Sequence, residues 1–428
     1  MSASAAPDER PSVVIDRALL RRQRIFGIFY LFLALLAAFV LASGIAPDAT
    51  STFVLKPAGS KTGLDIPNLV VPSVLTLYVI AAVCAFLGAI QLIRGFGSRW
   101  VVVLGLVVTL FIFGFLTWAA TDKSMSLIGI LELTVIKGLP ITFGALSGLL
   151  CERSGVVNIA IEGMLLAGAF TGAVVGTAAN SIVLGAIMAG VVGAALASLL
   201  AVLTIRYRMD QIVAGTVINI FAAGMTSFLY SRVLQVHQEL NAPERFPQIA
   251  IPILSDIPIL GPMFFTGNIF LYALFVLIGL IHYGLFYTRW GLRVRAVGEH
   301  PRAADTVGIN VTLTRYRNVI LGGIVAGFGG AYFTLGSTGS FIHDMTAGRG
   351  FIGLAAMIFG GWTPIGAFLA SLVFGFADAV QARLSILNIP LPSEFLQMAP
   401  YVVTIVVVAG LVGRVRAPAA DGRPYDKE

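Results

Sequence analysis

The sequence predicts an all-α polytopic integral membrane protein, a helical bundle of about 12 spans with both termini in the cytoplasm. Three observations predict it. Of 428 residues, 57% are hydrophobic and only 11% charged, less than half the ~25% charge of a soluble domain. Apolar runs of about 20 residues, enough to cross a hydrocarbon core of ~30 Å, recur along the whole length. Arginines gather in alternate loops, which orients the runs. The net charge of +7 arises in those loops and is no sign of nucleic-acid binding.

The elements follow in order. Residues 1–24 carry Arg10, Arg17, Arg21, Arg22 and Arg24 ahead of the apolar run 25–42. That run is longer than the 7–15 residues of a cleaved leader and reads as an uncleaved signal anchor, with the N-terminus inside. Further spans are expected at 69–93, 100–120, 127–150, 156–178, 181–205, 211–234, 268–288, 316–337, 349–361, 364–382 and 396–413. Starting inside, every second span ends in the cytoplasm. Arg94 and Arg99, Arg153, Arg206 and Arg208, Arg289 to Arg317, and Arg414 and Arg416 mark those ends. The short, glycine-flanked run 349–361 reads as either a span or a re-entrant half-helix. Gly168, Gly172 and Gly176, then Gly323 and Gly327, have the small-residue spacing of close helix packing in lipid. The segment 236–266, with Pro243, Pro247, Pro252, Pro258 and Pro262, reads as an ordered external loop or a partner surface.

Polar groups at membrane depth are costly and mark a pathway or a buried partner. Glu152, Arg153, Asn158 and Glu162 fall within eleven residues, Glu152–Glu162. Asn158 and Glu162 are four apart and share a helix face. They either hydrogen-bond a polyhydroxyl or heterocyclic solute, or tie helices together with Arg153 or Lys137 as counter-charge. Glu152 with Arg153 reads as a solvated interfacial pair. Asp378 and Gln381 share a face at i, i+3 and fit the same path or an interhelical contact. Glu132, Lys137, Asn219 and Arg232 complete the intramembrane inventory. His237, His282, His300 and His343 are scattered and Cys84 and Cys151 lie in or beside apolar runs, so no metal site or disulfide framework is expected.

The cytoplasmic loop Arg289–Ile309 contains a short helix of its own. Pro301 suits a first helical position and Gly308 the position after the last turn, which predicts a helix over 301–307. Its small apolar face, Ala303, Ala304 and Val307, needs a partner or the membrane surface to cover it. No phosphate loop, nucleophile elbow, His-Glu-x-x-His or dinucleotide fingerprint occurs, so the chain is not expected to hydrolyse ATP or to carry a catalytic site.

Four segments in sequence, Glu152–Met164, Arg295–Ala304, Met345–Phe351 and Phe376–Gln381, resemble the permease subunit of bacterial ABC importers. More narrowly they are similar to the nucleoside and simple-sugar branch of the family that includes the ribose and branched-chain amino-acid permeases. His300 stands where that family's pattern has Asn. The resemblance implies a permease core over 127–413, preceded by three extra spans in 1–126 and followed by a cytoplasmic tail, 414–428. It implies a substrate pathway past Asn158 and Glu162, which Asp378 and Gln381 would line as well if their shared face turns to it. Glu299, His300, Pro301, Arg302, Ala303 and Ala304 would form the helix that engages the ATPase. The implied partners are an ATPase with two nucleotide-binding modules, which holds the ATP and Mg, a second homologous permease and an extracytoplasmic substrate-binding lipoprotein. The implied setting is the bacterial inner membrane and the implied cargo a nucleoside, with a ribose-type sugar or a proton- or sodium-coupled mechanism as the alternatives.

Overall fold

A computed structural model describes residues 17–55, 67–387 and 416–427, together with Met398. Among these, ten helices are long and apolar enough to cross a membrane. The expected run 349–361 is instead a helix of 11 residues, Arg349–Phe359. At 1.5 Å per residue it reaches ~16 Å, half of a bilayer core. Apart from Met398, the expected span 396–413 lies outside the described residues. The chain divides into two compact units, one ending at Leu127 and the other running from Ile128.

In the first unit three helices pack side by side: α1 (Arg17–Leu35), α2 (Ser73–Ile93) and α3 (Trp100–Ala119). Their shared core is Tyr30, Leu33, Ala34, Ile80, Cys84 and Val107. Three short strands cap the ends of the helices: β1 (Thr50–Val54), β2 (Leu69–Pro72) and β3 (Ser124–Ser126). β1 lies in the middle, antiparallel to β2 and parallel to β3. Ser51, fully buried, bonds the Thr117 carbonyl and the Ser73 hydroxyl, both at 2.7 Å, and so ties the sheet to α2 and α3.

The second unit opens with α4 (Leu127–Glu152), which carries Pro140 in its interior. Proline has no amide hydrogen, so the carbonyl of Ile136 loses its helical partner. Tyr332 supplies a replacement by donating its hydroxyl to that carbonyl at 3.2 Å. In hydrocarbon such a repair matters, because no water is present to make it. α5 (Ile161–Ala178), α6 (Ile182–Ala201), α7 (Gln211–Leu229), the short α8 (Leu260–Phe264) and α9 (Ile269–Tyr287) follow. Two cytoplasmic helices come next, α10 (Arg289–Glu299) and α11 (Pro301–Thr306). The last described helices are α12 (Val311–Ala331, extended by looser turns to Thr338), α13 (Arg349–Phe359) and α14 (Pro364–Ile386).

Small residues let α5, α6 and α12 approach backbone to backbone. A methyl group on Gly168 would strike the Gly327 carbonyl, one on Gly193 the Gly323 carbonyl, and one on Gly327 the Ala189 carbonyl. The spacing read from the sequence is therefore a contact surface. Aromatic packing of Phe143, Phe270, Phe328 and Tyr332 fills the neighbouring core. Replacing Gly327 with Leu forces α6 and α12 apart and should lower thermal stability in detergent by about 1–3 kcal/mol or more. An unchanged melting temperature would contradict this packing.

Candidate transport pathway and coupling surface

The segment between α4 and α5 departs from helix at Gly155, whose φ of +84° suits glycine alone. It has no helical ladder, so its polar groups need other partners. Gln211 of α7 accepts the Val157 amide at 2.7 Å. Asn219, also on α7, donates to the Ile159 carbonyl and accepts from the Gly163 amide, both at 2.8 Å. Asn219 thereby caps the start of α5, a role that its place mid-helix in the sequence did not announce.

Asn158 is fully buried. Its amide nitrogen points to sulfur atoms, Cys151 at 3.5 Å and Met164 at 3.8 Å, and its oxygen has no partner among the described groups. Glu162 turns instead to α13. One carboxylate oxygen accepts the Gly348 amide at 2.8 Å and the other the Gly350 amide at 2.5 Å. These are unpaired amides at a helix start, where a negative charge is also favoured by the peptide dipoles. The structure thus ties Glu162 to another helix through backbone amides, and neither Arg153 nor Lys137 is its counter-charge.

Those cations are engaged elsewhere. Arg349, the first residue of α13, meets Asp378 of α14 at 3.4 Å, with both side chains mostly buried. Lys137 of α4 lies within the field of this pair. The Phe333 ring is 5.9 Å from the Arg349 guanidinium. Gln381 sits one turn further along α14, half-buried. The four residues expected along a pathway therefore fall into three settings: a buried Asn158, a helix-capping Glu162, and Asp378 with Gln381 on a charged face of α14.

A cavity of about 740 Å³ in the second unit is lined by none of these four. Its wall includes Glu132, Phe246, Asn268 and Tyr332, with Glu244 and Arg245 at the loop side. The proline-rich segment is ordered because its backbone is laced to the end of α12. The Phe246 amide donates to Leu335, Asn268 donates to Gly336, both at 2.8 Å, and Arg245 donates to Ser337 at 3.2 Å. The arginine distribution puts this opening on the external side. Sequence reasoning had Glu132 in its inventory but missed Phe246, Asn268 and Tyr332, because the loop's fold decides which of its residues face inward.

At the cytoplasmic end, Glu152 and Arg153 do not form a solvated pair. Glu152 is 4% exposed and accepts the Trp362 indole N–H at 2.7 Å. Arg153 donates twice to the Trp362 carbonyl, at 2.9 and 2.6 Å. Burial draws the Arg153 guanidinium below its ordinary value, and Glu299 offsets part of that shift. The end of α13 is thereby pinned to the end of α4. Pro301 begins α11 as expected, and Gly308, at φ +83°, terminates the turn after it. The orientation differs from expectation at one residue. Ala304 is buried, packed with Val297 and Val311, so it cannot meet a partner. Glu299, His300, Arg302, Ala303 and Val307 are exposed, and Pro301 is half-exposed.

Residues 130–413 match the family described as the permease component of the branched-chain amino acid transport system. The chain belongs to that family. It is 41% identical over 309 residues to the guanosine ABC transporter permease protein NupQ of Bacillus subtilis (strain 168), covering 70% of this chain and 96% of that one. It is 40% identical over 316 residues to the nucleoside ABC transporter permease protein NupC of Lactococcus lactis subsp. cremoris (strain MG1363), covering 71% and 99%. A putative glucose ABC transporter permease, TsgC13 of Haloferax volcanii, is 31% identical over 70% of this chain and 98% of its own. No solved structure matches the chain. This is a multi-pass ABC transporter permease, a transport subunit.

The buried Arg349–Asp378 pair yields a test. Asp378→Ala leaves a guanidinium unpaired at depth and should cost about 3–5 kcal/mol. Adding Arg349→Met should recover part of that loss. Equal melting temperatures for the wild type and the Asp378→Ala variant would dissolve the pair.

Proposed function

We propose that this chain is the membrane subunit of an ATP-driven importer that brings nucleosides across the bacterial inner membrane by alternating access. The observation that carries the reading is the 40–41% identity to permeases for guanosine and nucleosides over nearly their full lengths. The glucose relative, at 31%, supports a sugar less strongly.

The external cavity suits this cargo. A nucleoside presents an aromatic face, hydrogen-bonding edges and a vicinal diol. Phe246 and Tyr332 offer ring surface, Asn268 an amide, and Glu132 and Glu244 carboxylates that accept from hydroxyls. Asp378, Arg349 and Lys137 lie deeper, where a polar solute passing between helices would need partners. Asn158 and Glu162 serve the path by shaping it: Glu162 sets the start of α13, and Asn158 packs behind it.

The cytoplasmic helix α11 supports an ATPase partner, because a permease driven by protons or sodium has no such protein to engage. ATP and Mg would be held by that ATPase with its two nucleotide-binding modules. Glu299, His300, Pro301, Arg302 and Ala303 would face it, while Ala304 fastens the helix from behind. A second homologous permease and an external lipoprotein would complete the assembly.

Uptake of labelled uridine by cells with and without this gene tests the reading. Gene-dependent uptake, blocked by excess adenosine and not by ribose, is expected. Uptake blocked by ribose alone would transfer the reading to sugars, and uptake indifferent to the gene would remove uridine. Glu132→Gln should raise the half-saturating concentration about tenfold if the carboxylate holds the diol.

A further inference from the structure

The carboxy-terminal residues 416–427 lie beyond the family match at 130–413, yet they are built into the cytoplasmic face. The Ala420 amide donates to the Gly298 carbonyl at 2.9 Å, and the Ala419 amide donates to a Glu299 carboxylate oxygen at 3.2 Å. Arg315 of α12 donates to the Arg423 carbonyl at 2.9 Å. Pro418 and Ala420 are buried, and Tyr425 packs on the cluster of Val297, Ala304 and Val311. The Asp421 carboxyl lies close to that of Glu152. Two ion pairs, Arg208 with Asp426 and Lys427 with Asp305, lie at the exposed edge.

These contacts differ greatly in weight. Exposed ion pairs contribute about 0–1 kcal/mol each and do not hold the segment. Arg315 does. It is 2% exposed, one of the largest fully buried side chains of the molecule. A buried guanidinium needs acceptors; the Arg423 carbonyl supplies one, and the Asp421 carboxyl lies near enough to act on it.

We propose that residues 416–427 form a strap that positions α11 and transmits its movement to α13. A helix of six residues cannot hold its own shape in water. α11 is kept in place by one buried alanine, Ala304, and by what packs on it, including Tyr425 of the strap. From the strap the connection is continuous: the Ala420 amide to the Gly298 carbonyl, Gly298 against the Arg153 backbone, and the Arg153 guanidinium to the carbonyl of Trp362, at the turn that ends α13. A push on α11 reaches the half-helix by this route as well as through α10 and α12. The residues act by positioning, since none of them meets cargo or nucleotide.

Asp421 supplies a signature that a purely structural tail would lack. The groups facing it are Cys151 and Glu152 of α4 and Arg315 of α12, and burial raises its carboxyl from 3.8 to about 6. The docked strap therefore binds this proton more tightly than the free strap does. Docking is favoured below the free value, weakens as pH rises through the interval up to about 6, and is level above it.

The proposal rests on the ATPase reading, so the test separates the two. The intact chain is purified with its ATPase and reconstituted in vesicles, beside a chain ending at Val415 and a full-length Ala420→Trp variant. We expect the ATPase to remain bound in all three and ATP hydrolysis to continue. Cargo moved per ATP should fall about three- to tenfold in both variants. An undiminished ratio in either variant overturns the strap. Loss of assembly in the truncated chain leaves Ala420→Trp to decide. Failure of any ATPase to purify with the intact chain overturns the underlying reading instead. Spin labels at Ala303→Cys and Lys427→Cys report docking without transport. A short distance that weakens between pH 4 and 6, and a flat profile after Asp421→Asn, are expected; a broad distance at every pH overturns docking.

Discussion

Both carboxylate oxygens of Glu162 accept amide hydrogens at the start of α13, and the second unit depends on that interaction. A half-helix that begins at membrane depth exposes unpaired amides where no water can reach them. Glu162 satisfies two of them and matches the dipole of the helix. It also joins α5 to α13, so two interrupted stretches of chain meet at one carboxylate. Asn219 performs the parallel service for α5 itself, holding Ile159 and Gly163. With their polar backbone satisfied by side chains, these breaks become fixed features on which a pathway can be built.

The other half of the arrangement lies at the cytoplasmic ends. Trp362 receives Arg153 at its carbonyl and gives its indole hydrogen to Glu152. The half-helix is thus held at both ends, by Glu162 above and by the α4 terminus below. Arg349 at its first turn faces Asp378, so any shift of α13 moves a charge within the bundle. α10 and α11 sit beside the same terminus, because Gly298 packs on the Arg153 carbonyl. α13 thus connects the end of the bundle that carries α10 and α11 with the membrane interior.

Much of this was legible in the sequence, for reasons that differ by element. Span positions followed from length and hydropathy, which lipid enforces strictly. α11 followed from Pro301 and Gly308, local signals that need no tertiary partner. The depth of Glu162 was legible but its role was not, since its partners lie 186 and 188 residues away. Ala304 was misjudged because a six-residue helix has too few apolar positions to announce its inner face. The burial of Glu152 went unseen for a similar reason: its partners, Trp362 and Asp421, come from distant segments. The external cavity depends on how a proline-rich loop is tied to Leu335, Gly336 and Ser337, and no periodicity encodes that.

Hydrogen–deuterium exchange on the Glu162→Ala protein tests the central claim most directly. If Glu162 secures the start of α13, protection of the amides of Gly348–Ile352 should fall, while α6, α12 and the first unit keep theirs. Unchanged protection across Gly348–Ile352 would contradict the account and leave α13 held by its packing alone.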